Sequence, residues 1–319
     1  MNPPEITGGV GNLEELNLTH APKRVVSLVP SVTESLFTLG AGRSLAAVTD
    51  FCVHPAEQAA RLPKVGGTKN PDLNRIRAAL PELVIANKEE NRKEDIEALQ
   101  AEGFKVWVTF PCTVWEAIQL LWAFVQVFRV PQIGQSLSVL ETSWEWANLA
   151  AQNTPPMKVF CPIWREPSAA EGQPRWWMTI NRDTYVHDIL RLSGSLNIFA
   201  DRDRHYPLAA DLGEASPEPP ASERDIRYPR VTPAEVAARA PDVILLPSEP
   251  YPFTEADLSA FEDFPEIPAV KNQRIYLVDG SLLTWHGIRL AKALAELPAY
   301  FTRPDSDSFG ELPEAAEAE

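Results

Sequence analysis

Short β-branched runs alternate with segments of helical periodicity twice along this sequence, the pattern left by βαβ units of a mostly parallel sheet. In the first series, RVVSLVP (24–30) reads as a buried strand. Ser31 with Glu34 three residues on reads as a capping box for the helix that Gly40 ends. A strand LAAVT (45–49), a helix NRIRAAL, a strand LVIAN (83–87), a helix RKEDIEALQAEG and a strand KVWVTF (105–110) follow. After a helix over 113–128, Pro131 punctuates the chain, and 134–153 keeps helical spacing until Thr154, Pro155 and Pro156 stop it. That segment is expected to be one long connector.

A second series then begins, with strands over 157–164, 176–180, 243–248 and 274–280 and helices DTYVHDILRLSG and GIRLAKALAELPAYF. The expected fold is therefore α/β, two Rossmann-like lobes with mostly parallel sheets joined by a single long helix. Its divisions are an N-terminal extension (1–21), a first lobe (22–130), the connector (131–156) and a second lobe (157–303). A Pro-rich insertion at 211–230 is expected to lack regular structure, and 304–319 reads as an acidic, disordered tail.

The chain has 319 residues, 45% of them hydrophobic, enough for sizeable cores without disulfides. Its 29 Lys and Arg against 44 Asp and Glu give a formal charge of −15, which argues against a nucleic-acid partner. Cys52, Cys112 and Cys161 form no CxxC pair and read as small buried hydrophobes. No apolar run reaches membrane-spanning length, because 114–130 is broken by Glu116, Gln119, Gln126 and Arg129. The opening residues show no basic n-region, apolar h-region or lipobox cysteine, so a cytoplasmic location is expected if Met1 is the native start.

No phosphate-cradling glycine loop is present: Val65-Gly66-Gly67-Thr68 lacks the GxxxxGK[ST] pattern. Nucleophile elbows, HExxH and paired carboxylates are absent too, and the five histidines are scattered singly, so no catalysis and no intrinsic cofactor are expected. What stands out is nine tryptophans. Trp164, Trp176, Trp177 and Trp285 fall at strand ends or in the turns after them, where open α/β sheets bind ligands. Arg165, His205, Tyr206 and His286 lie close by in sequence, and aromatic faces with a few directed polar groups suit a large, flat, partly apolar ligand. Trp107, Trp115, Trp122, Trp144 and Trp146 are assigned to core or connector packing. His54, after the second strand, reads as a solvated loop residue that could reach a ligand. Glu89, Glu90 and Asn91 read first as a solvated helix start, with the crevice as the alternative facing; Asp183 reads as an N-cap beside Arg182, a ligand role for Arg182 being the less favoured alternative.

The blocks RVVSLVPSVTESLFTLGAG, KVGGTKNPDLNRIRAALPELVIA, KVWVTF, VTPAEVAARAPDVILL and YLVDGSLLTWHGIRLAKAL, in that order from about 22 to 301, resemble the periplasmic binding proteins of the cobalamin and ferric-siderophore import family. The resemblance implies two lobes on one rigid helix and a metal chelate held between them, with no catalysis. Tryptophans of the cobalamin-binding branch are matched here by Thr68 and Asn87, and this chain offers Phe51, Trp164, Trp177 and Trp285 instead. The expected ligand-binding set is Phe51, His54, Trp164, Arg165, Trp177, His205, Tyr206, Trp285 and His286, with no metal bound directly. Cobalamin, a ferric siderophore, haem or another chelate fits this set. The family's permease-docking glutamates align with Asn74 and Ala234, with Glu235 adjacent. A monomer with impaired permease docking is therefore expected. The alternative is a cytoplasmic relative, uncoupled from a permease, whose His54, His205 or His286 coordinates a metal directly.

Overall fold

In a computed structural model, residues 8–166, 174–219 and 224–302 are described. The acidic tail, most of the 166–175 loop and part of the insertion lie outside them. The first lobe runs β1 (Val25–Ser27), α1 (Pro30–Thr38), β2 (Leu45–Val48), α2 (Ala56–Ala60), α3 (Leu73–Ala78), β3 (Leu83–Asn87), α4 (Lys93–Ala101), β4 (Val106–Thr109) and α5 (Val114–Phe128). Its parallel sheet has the order β2-β1-β3-β4. β3 is buried at every position, the continuous apolar run expected of a strand covered on both faces.

α6 (Gly134–Asn153) is the connector, with the bounds its sequence signals imply. It packs against α5. The second lobe follows with β5 (Met157–Phe160), β6 (Trp164–Arg165), β7 (Trp177–Met178), α7 (Tyr185–Leu192), β8 (Ser195–Asn197), α8 (Leu208–Asp211), β9 (Arg230–Val231), α9 (Pro233–Arg239), β10 (Val243–Pro247), α10 (Pro268–Lys271), β11 (Ile275–Val278), α11 (Ser281–Thr284) and α12 (Leu290–Glu296). Its parallel sheet has the order β11-β10-β5-β8, and β6-β7-β9 form a small antiparallel sheet beside it. α6 also packs against α7 and α12, so one helix braces both lobes.

Two local expectations are corrected. Ser31 and Glu34 make no capping box: α1 begins at Pro30, whose fixed φ suits the first helical position, and the Ser31 hydroxyl finds no partner. Glu34 instead pairs with Arg289 of the other lobe at 2.6 Å. Thr184, not Asp183, caps α7, its hydroxyl accepting the His187 N–H. The insertion is anchored at both ends. Asp211 is buried and accepts from the His205 and Arg230 backbone N–H groups while pairing with Arg202 at 3.0 Å. The N-terminal residues are likewise seated, with Val10 buried and its carbonyl accepting the Trp107 indole N–H at 2.6 Å.

Candidate functional site between the lobes

The contacts between lobes are made by segments that leave the carboxyl ends of the parallel strands, where crevices of open α/β sheets form. Asn87, the last residue of β3, points its Nδ2 at His286 Nε2 across 3.1 Å. The Asn87 amide also donates to Thr109, so the imidazole accepts through Nε2 and is neutral. Burial depresses the His286 pKa, against the opposing Glu89 charge, which is consistent with that form. His54, after β2, meets the edge of Trp285 at 5.9 Å between ring centroids. The Arg289 guanidinium lies over the Trp285 ring at 4.4 Å, so Trp285 contacts both a first-lobe ring and a second-lobe cation.

Glu89 makes a further tie between the lobes. Its Oε1 accepts from Arg227 at 2.7 Å and from the Tyr228 hydroxyl, both carried by the end of the insertion. Arg227 also pairs with Asp225 at 2.6 Å and lies over the Phe110 ring at 4.8 Å. Burial and then the Glu89 charge push the Tyr228 phenol up, keeping it a donor. Next to it, burial first and then the charges of Glu249 and Glu89 raise the Glu90 carboxyl to about 8, with Lys69 opposing. Glu249, after β10, is raised mainly by burial and drawn back by hydrogen bonds from Thr284 and Trp285. Two acids from opposite lobes thus share one poorly solvated region.

Strand alternation decides which aromatic residues face this region. Across the small sheet, Trp164 pairs with Met178 and Met178 with Arg230, while Arg165 pairs with Trp177 and Trp177 with Val231. Successive side chains point to opposite faces, so Trp164 and Arg165 cannot both line a cleft. The second row is inward. Trp177 is 2% exposed, stacked on Phe261 at 5.0 Å and edge-on to Phe160. Arg165 forms a closely enclosed ion pair with Asp257. Trp177 and Arg165 are therefore core and structural residues, correcting their expected ligand roles. The first row is outward, and Trp164 there meets Tyr251 at 5.5 Å.

Of the expected set, His54, Trp285 and His286 come together between the lobes, and Trp164 lies on the outward face of the second lobe. Phe51 is 60% exposed near Gly67. His205 is exposed, and Tyr206 sits between the guanidinium groups of Arg204 and Arg224, its hydroxyl donating to the Asp225 carbonyl. Trp146, assigned to packing, is 69% exposed on α6. Arg227, Tyr228, Glu249 and Arg289 carry no sign in the sequence, and Glu89, read there first as a solvated helix start, faces the crevice. Among the described residues no three His, Cys, Asp or Glu side chains converge as a metal site, so the direct-ligation alternative finds no donor set. Among the described residues no helix is long and apolar enough to cross a membrane. A hollow of about 1120 Å³ lies elsewhere, along α6 between Trp146, Leu192, Leu294 and Phe301, lined by no charged side chain among the described residues.

Two parallel sheets, a bracing helix and a polar-aromatic crevice between facing strand ends define a two-lobed α/β fold. Residues 25–118 match the family model described as periplasmic binding protein. The vitamin B12-binding protein of Photorhabdus laumondii is 28% identical over 232 residues, 72% of each chain. That of Vibrio parahaemolyticus is 24% identical over 290 residues, 90% of this chain and 92% of its own. The crystal structure of the periplasmic vitamin B12 binding protein of Vibrio cholerae superposes with a TM-score of 0.69 at 20% identity, over 88% of this chain and 97% of that one. The periplasmic haem-binding protein of Roseiflexus sp. RS-1 gives 0.64 at 22%, over 87% and 97%. The resemblance read from the sequence is matched by these comparisons: a stretch of the first lobe fits the periplasmic binding protein model, and the chain has the two-lobed fold of the vitamin B12- and haem-binding proteins it is similar to. The expected cytoplasmic location is corrected, because the matching family model is that of periplasmic binding proteins and both structural neighbours are periplasmic proteins.

Proposed function

We propose that this protein holds a corrinoid or a similarly flat metal chelate, haem or ferric siderophore, between its lobes. The observation that carries this reading is the convergence of Trp285, His54 and His286 at facing strand ends, with Trp164 and Tyr251 on the outward face of the second lobe. Aromatic faces supply apolar contact area, and the few fixed polar groups set orientation. Titrating cyanocobalamin or haemin into the protein should quench tryptophan fluorescence with one ligand per chain. Trp285→Ala should weaken that binding about tenfold, the scale of one stacked aromatic contact with its buried area. An unchanged dissociation constant in Trp285→Ala removes Trp285 from the site.

Delivery to an ABC permease is the partner role this class suggests. Asn74 on α3 and Ala234 on α9 are exposed, one on each lobe, and neither supplies a docking carboxylate. The neighbouring Glu235 is not free to substitute, since it pairs with Arg202 at 3.2 Å. Interfacial charge pairs set orientation and on-rate. Weak docking on a purified vitamin B12 permease is the expected result, strengthened in Asn74→Glu/Ala234→Glu. Equal affinity of the two proteins would contradict it.

A further inference from the structure

Five arginines lie between positions 202 and 230, and three of them have carboxylate partners. Arg202 pairs with Asp211 and Glu235, Arg224 with Glu218 at 2.5 Å, and Arg227 with Glu89 and Asp225. Arg204 and Arg230 are half-buried, and no carboxylate pairs with either among the described residues. Among the described residues the Arg204 Nε is buried without a hydrogen-bond partner, and the Arg230 guanidinium donates only to the Tyr228 carbonyl, at 2.8 Å. The Asp211 carboxylate lies close, accepting the His205 and Arg230 backbone N–H groups, but its ion pair is with Arg202. The two cations also sense each other: burial first, and then the neighbouring Arg204 charge, depress the Arg230 pKa.

Bringing two like charges together out of water without a counter-ion is unfavourable, and an anion arriving between them relieves both costs. The surroundings hold the guanidinium planes. Arg204 lies over the Tyr206 ring at 4.1 Å and Arg230 over the Trp176 ring at 5.8 Å. Stacking on aromatic faces leaves the N–H edges free, and those edges match the paired oxygens of a carboxylate or phosphate. Arg230 shares the outward row of the small sheet with Met178 and Trp164, and Tyr228, two residues earlier, reaches Glu89 of the first lobe. The pair is therefore at the rim of the crevice between the lobes.

We propose that Arg204 and Arg230 form a seat for an oxyanion, a carboxylate or phosphate group carried by the bound chelate. For the identity of the molecule bearing that group, the proposal rests on the chelate reading above. The oxyanion itself is tested separately. Calorimetric titrations use inorganic pyrophosphate, haemin, haemin dimethyl ester and cyanocobalamin against the full chain and Arg204→Gln, Arg230→Gln and Arg230→Lys. Near-ultraviolet circular dichroism checks that each variant is folded.

Pyrophosphate should bind the unaltered protein, with each glutamine variant about tenfold weaker, the scale of one charge-assisted hydrogen bond, and Arg230→Lys in between. Preference for haemin over its dimethyl ester assigns the group to a carboxylate. Arginine-dependent binding of cyanocobalamin assigns it to a phosphate. The seat is overturned if the glutamine variants leave every probe's affinity within about twofold of the unaltered protein, a ratio worth well under the tenfold step. Chelates that bind regardless of the arginines refute the seat and leave the chelate reading intact. Pyrophosphate bound through both arginines, with no chelate bound, refutes the chelate reading and leaves the seat.

Discussion

Replacing Glu89 with alanine and Tyr228 with phenylalanine, singly and together, should reveal a strong energetic coupling between the lobes. Glu89 Oε1 accepts from the Tyr228 hydroxyl and, at 2.7 Å, from Arg227. The Glu89 and Arg227 side chains are only 28% and 15% exposed, so solvent screens the cluster weakly. A hydrogen bond to a charged acceptor contributes about 1.5 to 3 kcal/mol, which sets the cost of Tyr228→Phe near 2 kcal/mol. Glu89→Ala costs more, about 2 to 3 kcal/mol, because the phenol and the guanidinium both lose an acceptor, although Arg227 keeps Asp225. In the double variant the shared bond is lost only once, so the two effects should fall short of additivity by about 1.5 kcal/mol. Urea unfolding followed by circular dichroism at pH 7 measures each corner of the cycle. Additivity within about 0.5 kcal/mol would refute a direct bond between the lobes at this point.

Further expectations follow from the corrected site. Trp177→Ala should lose about 3 to 5 kcal/mol of stability, the scale for a core aromatic, measured by the same unfolding assay; Trp164→Ala should leave stability nearly unchanged and weaken chelate binding. Arg165→Ala should cost about 3 to 5 kcal/mol by stranding the buried Asp257 charge, so a marginal change would show the pair to be solvated. Glu90 holds its proton in the folded state up to about 8 and releases it near 4.5 when unfolded, so the folded state binds more protons between those values. Its contribution to stability therefore falls as pH rises through that window, and Glu90→Gln should flatten that limb of the stability curve. His286 has the opposite sign. Its folded pKa is depressed below 6.5, the unfolded chain takes up the proton first, and stability falls as pH drops below about 6.5, a slope that His286→Gln should reduce.

The elements legible in the sequence are those whose signals are local. Connector α6 was bounded to the residue because a long helical pattern is cut by Thr154, Pro155 and Pro156, and β3 because five consecutive buried positions stand between polar turns. The small antiparallel sheet was not legible, since two-residue strands leave no periodicity and its pairing depends on distant segments. That omission caused the misreading of Arg165 and Trp177, whose facing is set by cross-strand partners rather than by neighbours in sequence. Glu34 and Glu89 were read as local helix-start residues, yet their partners lie 255 and 138 residues away. Trp285 and His286 were singled out because a tryptophan-histidine pair leaving a strand end has few packing roles. Of their partners in the other lobe, His54 stood out as a loop histidine after a strand, whereas Asn87 was marked only by the family comparison.

Binding of a chelate between the lobes is tested most directly by mixing the purified protein with cyanocobalamin, desalting it and recording the visible spectrum of the protein fraction, then repeating with haemin and a ferric siderophore. Co-elution of one of these chromophores at close to one per chain, lost or sharply reduced in Trp285→Ala, is the predicted result. Elution of all three in the small-molecule fraction, with the protein colourless, would contradict it.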